Sequence, residues 1–96
     1  MRVLAIGKPP GSKLLRIEAQ VERHGASWLV ASFRVRGDFF AIPEEGYEAA
    51  EAALGKIELD RLGEAFDTAM ARAGVSLTGI SGAGVQATIE EALHGR

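Results

Sequence analysis

Two runs of alternation near the start of the chain constrain its fold more than anything else in it. In 13–22, Leu15, Ile17, Ala19 and Val21 alternate with Arg16, Glu18, Gln20 and Glu22, and further on Leu29, Ala31, Phe33 and Val35 fall on every second position. Successive side chains of a strand point to opposite faces, so each run reads as a strand with one face to bury. Arg23-His24-Gly25-Ala26 lies between them as a hairpin loop. In an antiparallel pair directly opposed residues share a face and their numbers sum to a constant. A sum of 50 aligns the two apolar sets: Val21 with Leu29, Ala19 with Ala31, Ile17 with Phe33 and Leu15 with Val35. A sum of 49 mixes the faces.

On the other face this register sets Arg16 opposite Arg34 and Leu14 opposite Arg36. Like charges directly across a strand pair cost roughly a few tenths of a kcal/mol or more, so an anion is expected nearby. The ordinary candidate is Glu18, diagonal to Arg34, shared in water between two guanidinium groups. The alternative is an acidic partner or a phosphate-bearing ligand, either of which suits the forked donors of arginine.

The rest of the pattern is coarser. Residues 2–7 read as a first strand, closed by the turn-rich Gly7-Lys8-Pro9-Pro10-Gly11-Ser12. After residue 36 the period changes from 2 to 3.6. Pro43 fits a first helical turn and Glu44 and Glu45 complement the helix dipole. Tyr47, Ala50 and Leu54 face inward on a helix over 43–54 that Gly55 stops. A second helix, 58–73, carries Leu59, Leu62, Phe66 and Met70 as its stripe with Gly74 beyond it, and a third, 84–94, carries Val85, Ile89 and Leu93. Strands over 2–7, 13–22 and 27–36 followed by three helices make an α+β domain, with helices on one face of a three-stranded antiparallel sheet. The other sheet face, bearing Trp28, Val30, Arg16, Arg34 and Arg36, is left uncovered. That composition is the one expected of an interface, unless Trp28 lies flat on its own hairpin.

Ninety-six residues, 47% of them hydrophobic, support one core and no second domain. A free-standing ATP- or cofactor-binding enzyme is therefore disfavoured against a subunit or binding module. Without cysteine, thiol catalysis, disulfides, zinc-thiolate sites and iron-sulfur carriage are excluded. No apolar run approaches the roughly 20 residues that span a bilayer, and the first residues read as a strand rather than a signal peptide, so a cytoplasmic, membrane-free protein is expected. Residues 1–36 hold seven basic against two acidic side chains, +5, and residues 37–96 four against eleven, −7. An acidic half and no aromatic-basic interleaving argue against a nucleic-acid surface. His24 and His94 have no neighbour that orients them for base catalysis. Gly79, Gly82 and Gly84 precede a helix but lack the Lys and Ser or Thr of a phosphate loop, and no metal-ligand spacing occurs.

Several segments taken in order carry a resemblance. Lys8-Pro9-Pro10-Gly11-Ser12-Lys13-Leu14-Leu15-Arg16-Ile17, then Val35-Arg36-Gly37-Asp38-Phe39-Phe40-Ala41-Ile42-Pro43-Glu44-Glu45, then Gly55, then Leu77-Thr78-Gly79-Ile80, are together similar to the C-terminal accessory domain of lipoate-protein ligases. Gly37, Asp38, Phe39 and Phe40 match the family's motif, and Gly11, Lys13 and Pro43 its flanking positions. Ser12 stands where the family often has a second glycine, and Ser81-Gly82-Ala83-Gly84 where it has an acidic, Pro-containing segment. The resemblance implies a small non-catalytic subunit, separate from the catalytic chain, that is needed for lipoyl-adenylate formation and moves between activation and transfer. It further implies that ATP, Mg and lipoate are held by the catalytic partner, with nothing bound by this chain alone, and that lipoyl-acceptor domains are met indirectly. Lys13 and Arg16 are then candidate contacts to the adenylate phosphate or the partner, and Trp28, Arg34 and Arg36 candidate interface residues. The rival reading is a protein- or nucleic-acid-binding adaptor that uses the Trp28 and arginine face. A homodimer closing that face on itself is compatible with either. Phe39 and Phe40 are expected to point to different sides of the strand-to-helix joint, one into the core.

Overall fold

The computed structural model describes all residues, Met1–Arg96. The chain is α+β, with β1 (Arg2–Gly7), β2 (Leu15–His24), β3 (Ser27–Gly37), β4 (Phe40–Ile42), α1 (Glu44–Ala53), β5 (Ile57–Glu58), α2 (Leu59–Arg72), β6 (Ser76–Thr78) and α3 (Gly82–Leu93). The main sheet has four strands rather than three, in the order β1-β2-β3-β5, all antiparallel. A separate ribbon pairs β4 with β6. Strands of two or three residues are too short to show a period, which is why neither β5 nor the ribbon could be read from alternation.

The hairpin register differs from the expected sum of 50. His24 pairs with Ser27 across a two-residue turn, Gly25-Ala26, in which Gly25 has φ +66 and Ala26 does not have a positive φ. That is the type II′ pattern, whose twist matches the flanking strands. The sum is 51 from the turn to Val21↔Val30 and becomes 52 from Gln20↔Ser32 onwards, because Ala31 is an extra residue in a β-bulge. Arg16 therefore stands opposite Arg36, not Arg34, and Glu18 stands directly opposite Arg34. Leu14 has no partner in the ladder and Leu15 faces Gly37.

The bulge also reverses the phase at the start of β3. Val30 is buried and Leu29 only half-buried, the opposite of the expected assignment. Trp28 follows Val30 onto the helix side: it is half-buried against the core and borders a hollow shared with Leu59 of α2 and Leu93 of α3. The Arg23 guanidinium stacks over its ring, 4.5 Å from the centroid. Trp28 thus does not belong to the face that carries Arg34 and Arg36.

The core lies between the sheet and the helices. Val3, Ala5, Leu15, Ile17, Ala19, Val21, Phe33 and Val35 bury the sheet's inner face against the stripes foreseen on the helices: Tyr47 on α1, Leu59, Leu62, Phe66 and Met70 on α2, and Val85, Ile89 and Leu93 on α3. Gly74, with φ +70, follows α2 as expected. Gly55 does not have a positive φ, and Leu54 closes α1. Pro43 is the N-cap of α1 rather than its first residue. The third helix begins at Gly82, two residues early, because Ser81 caps it: the Gly84 N–H donates to Ser81 Oγ at 3.1 Å.

Candidate functional site

Three of the four segments that carry the sequence resemblance, all but Gly55, meet at one end of the main sheet. Pro9-Pro10-Gly11-Ser12 forms a turn closed by the Ser12 amide donating to the Pro9 carbonyl (2.9 Å), with Gly11 at φ +78. Proline followed by a glycine of positive φ is the type II arrangement. The turn delivers Lys13 to Gly79, whose carbonyl accepts from the Lys13 amide at 2.8 Å. The Asp38 amide reaches the Leu14 carbonyl at 3.3 Å. Gly37 is required here by proximity, since a Cβ on it would stand 2.1 Å from the Leu14 carbonyl oxygen. Phe39 lies behind Gly79, with 3.6 Å between its Cα and the place of a Gly79 Cβ. Gly11, Lys13, Gly37, Asp38, Phe39 and Gly79 therefore form one corner. Three stretches far apart in sequence are brought together there.

Phe39 and Phe40 do point to different sides. The Phe39 ring packs on Tyr47 (5.4 Å between centroids), Tyr47 on Phe66 (6.2 Å) and Phe66 on Phe33 (6.3 Å), so an aromatic line runs from the joint into the core. Phe40 is 68% exposed. Beside them, a hollow of about 430 Å³ is lined by Arg36, Gly37, Phe39, Phe40, Glu44 and Tyr47 among others. The Asp38 side chain makes no hydrogen bond and satisfies no nearby amide.

Under this corner lies a buried carboxylate that no sequence signal marks. β5 pairs only with Leu29 and Val30, so the rest of that edge of β3 has no neighbouring strand. Glu51 Oε2, from α1, accepts from the Val35 amide at 3.0 Å and from Tyr47 Oη at 2.8 Å. Burial pushes the Glu51 carboxyl above the usual carboxylate range, against the lowering effect of these two hydrogen bonds and of Arg36 and Arg34. Burial and the Glu51 charge push the Tyr47 hydroxyl well above its ordinary value.

Lys13, Arg16, Arg34 and Arg36 are exposed, and none has a carboxylate within salt-bridge distance. Arg16 and Arg36 share a row on the sheet's outer face, whereas Lys13 projects from the corner loop. Glu18 bonds to Arg2 at 2.8 Å, not to the arginines it was expected to bridge. His24 gains a partner 34 residues away, Glu58, and Ser27 Oγ lies 3.1 Å from the same carboxylate. The hydrogen bond from His24 holds the Glu58 carboxyl below its usual range. Because the carboxylate stands between hydroxyl and imidazole, this cluster fastens the hairpin tip to β5 and does not assemble a serine nucleophile. No group of three or more His, Cys, Asp or Glu side chains is placed to hold a metal, and no helix is long and apolar enough to cross a membrane.

The glycines before α3 have packing roles. A Cβ on Gly82 would stand 1.9 Å from the Gly63 carbonyl oxygen of α2, and one on Gly84 would stand 2.9 Å from Ser12 Oγ. They permit α3 to sit against α2 and the corner loop.

No family model and no curated protein matches the chain. Among solved structures, it is similar to a chain from an archaeal lipoylation system of Thermoplasma acidophilum, a bipartite lipoate protein ligase and its E2 lipoyl domain. The TM-score is 0.64 at 18% identity, and the likeness covers 98% of this chain and 96% of that one. The two chains share a fold. The match runs end to end through sheet, corner and helices.

Proposed function

We propose that this chain is the non-catalytic small unit of a two-part lipoate-protein ligase, required for ATP-dependent activation of lipoate to lipoyl-adenylate before transfer to a lysine of an acyl-carrier domain. The observation that carries the reading is the end-to-end likeness to a chain of a bipartite lipoylation system. It is supported by the convergence at one corner of three of the segments that resemble ligase accessory domains. The catalytic partner supplies the pocket for ATP, Mg and lipoate. This chain supplies positioned cations and a docking surface.

Of the two cations singled out from the sequence, Lys13 is the one suited to the adenylation step. Its backbone is fixed by Gly79 while its ammonium group is exposed and free of any carboxylate. A cation held over the phosphates stabilises the charge that develops as pyrophosphate leaves. Arg16, in a row on the sheet face, acts as a partner contact. Co-purification with a tagged catalytic chain tests the assembly, and no association removes the reading. In the assembled enzyme, Lys13→Ala slows lipoyl-adenylate formation by roughly 100-fold and changes transfer from preformed lipoyl-adenylate by about twofold at most. Equal losses in both steps exclude Lys13 from this role.

A further inference from the structure

The outer face of the main sheet is built in rows that the observed register defines. Ile6, Arg16 and Arg36 stand side by side across β1, β2 and β3; Leu4, Glu18 and Arg34 form the next row; Arg2, Gln20 and Ser32 the third. These rows hold four arginines against one glutamate, and that glutamate is already bonded to Arg2. Arg16 and Arg36 oppose each other with no anion between them.

Exposed apolar side chains stand on this face, and others on the β4–β6 ribbon. Leu4 and Ile6 are 68% and 69% exposed, and Phe40 and Ile42, two apart on β4, are each 68% exposed. A hollow of about 300 Å³ lies over the sheet between Leu4, Ile6, Arg16, Arg34 and Arg36, and Arg36 also lines the hollow beside Phe40. Single exposed aliphatic side chains are ordinary, but Leu4 and Ile6 together over a hollow lined by three arginines that have no carboxylate partner have the make-up of an interface.

We propose that this face, centred on Ile6, Arg16 and Arg36, docks a protein surface that presents carboxylates interleaved with apolar side chains. The inference rests on the functional reading above, under which that surface belongs to the catalytic chain. Guanidinium forks take carboxylates in pairs, and the aliphatic side chains between them need apolar cover. A second copy applied face to face would set arginine rows against arginine rows. A nucleic-acid backbone would neutralise the arginines but leave Leu4 and Ile6 uncovered. The helix layer, with eight exposed acidic and two basic residues in α1, α2 and α3, repels the same acidic partner and so directs it to the sheet.

Calorimetric titration of the purified catalytic chain with wild type and variants tests the proposal. Arg36→Glu is expected to weaken binding by roughly 30-fold or more, with added salt narrowing the difference. Ile6→Ser is expected to weaken it about tenfold. Arg72→Glu, at the exposed end of α2, serves as the control and leaves binding within about twofold. All three positions are exposed, and an unchanged thermal melt confirms that each variant is folded. If wild type binds and stimulates the catalytic chain while Arg36→Glu and Ile6→Ser bind equally well, the docking face is wrong and the functional reading stands. If wild type neither binds nor stimulates, the functional reading fails and this inference with it. Sedimentation showing a dimer that Arg36→Glu dissolves, or flotation with phosphatidylglycerol vesicles, overturns the proposal in favour of a second copy or an anionic lipid surface.

Discussion

Gly82→Ala is expected to lower the melting temperature by roughly 12–24 °C, from a destabilisation of about 3 kcal/mol in a domain of this size. The added methyl would stand 1.9 Å from the Gly63 carbonyl oxygen and 2.8 Å from Asp67 Oδ1. The first of these is backbone in the middle of α2, so it cannot swing aside as a side-chain tip can. Relief requires α3 to lift from α2, and that movement also breaks the 2.8 Å bond from the Gly82 amide to Asp67 and the 2.9 Å bond from the Gly63 amide to Gln86. Gly55→Ala is the matched control: no atom lies within 4 Å of its Cβ position and φ is not positive there, so the same change alters stability by about 0.5 kcal/mol or less in either direction. Equal melts for the two variants would show that the helices do not approach as closely as described.

Glu51→Ala has an effect of similar size for a different reason. Removal of the carboxylate leaves the Val35 amide and the Tyr47 hydroxyl buried without a partner, a loss of about 2–4 kcal/mol read by denaturant unfolding. Glu51→Gln restores part of this, because an amide oxygen still accepts a hydrogen bond. It also changes the pH dependence. Burial raises the folded-state pKa of Glu51 above its unfolded value, so the native state binds the proton more tightly. Its contribution is fully present below the ordinary carboxylate pKa and is lost as pH rises through the raised folded value. Wild type should therefore lose stability relative to Glu51→Gln as pH climbs through that window. Parallel curves for the two proteins would contradict the buried, ionisable role of Glu51.

Much of this architecture is legible in the sequence because burial follows period. The inward stripes of α1, α2 and α3 fall where spacing of three and four puts them, and Leu15, Ile17, Ala19 and Val21 face the core as alternation requires. The register failed at one place for a physical reason. Trp28-Leu29-Val30 is apolar at three consecutive positions and fits either phase of a strand, so alternation could not reveal the bulge at Ala31. The turn chemistry favoured a two-residue loop at Gly25-Ala26, which excludes a sum of 50. With the register corrected, Trp28 leaves the arginine face; Leu4 and Ile6 stand on it because β1 pairs with β2 opposite Glu18 and Arg16. The motif residues Gly11, Lys13 and Gly37 through Phe39 were visible as separate segments, but that Gly79 and Leu14 join them depends on how β2 leaves the corner loop. Glu51 was not legible at all: its partner Val35 lies 16 residues away, on a strand edge that is open only because β5 is two residues long.

The most direct test of the central claim is lipoate-dependent exchange of pyrophosphate into ATP by the catalytic chain, measured as this chain is added. Exchange is expected to rise by roughly an order of magnitude or more and to saturate at equal amounts of the two chains. An exchange rate unchanged at saturating amounts of this chain would contradict it.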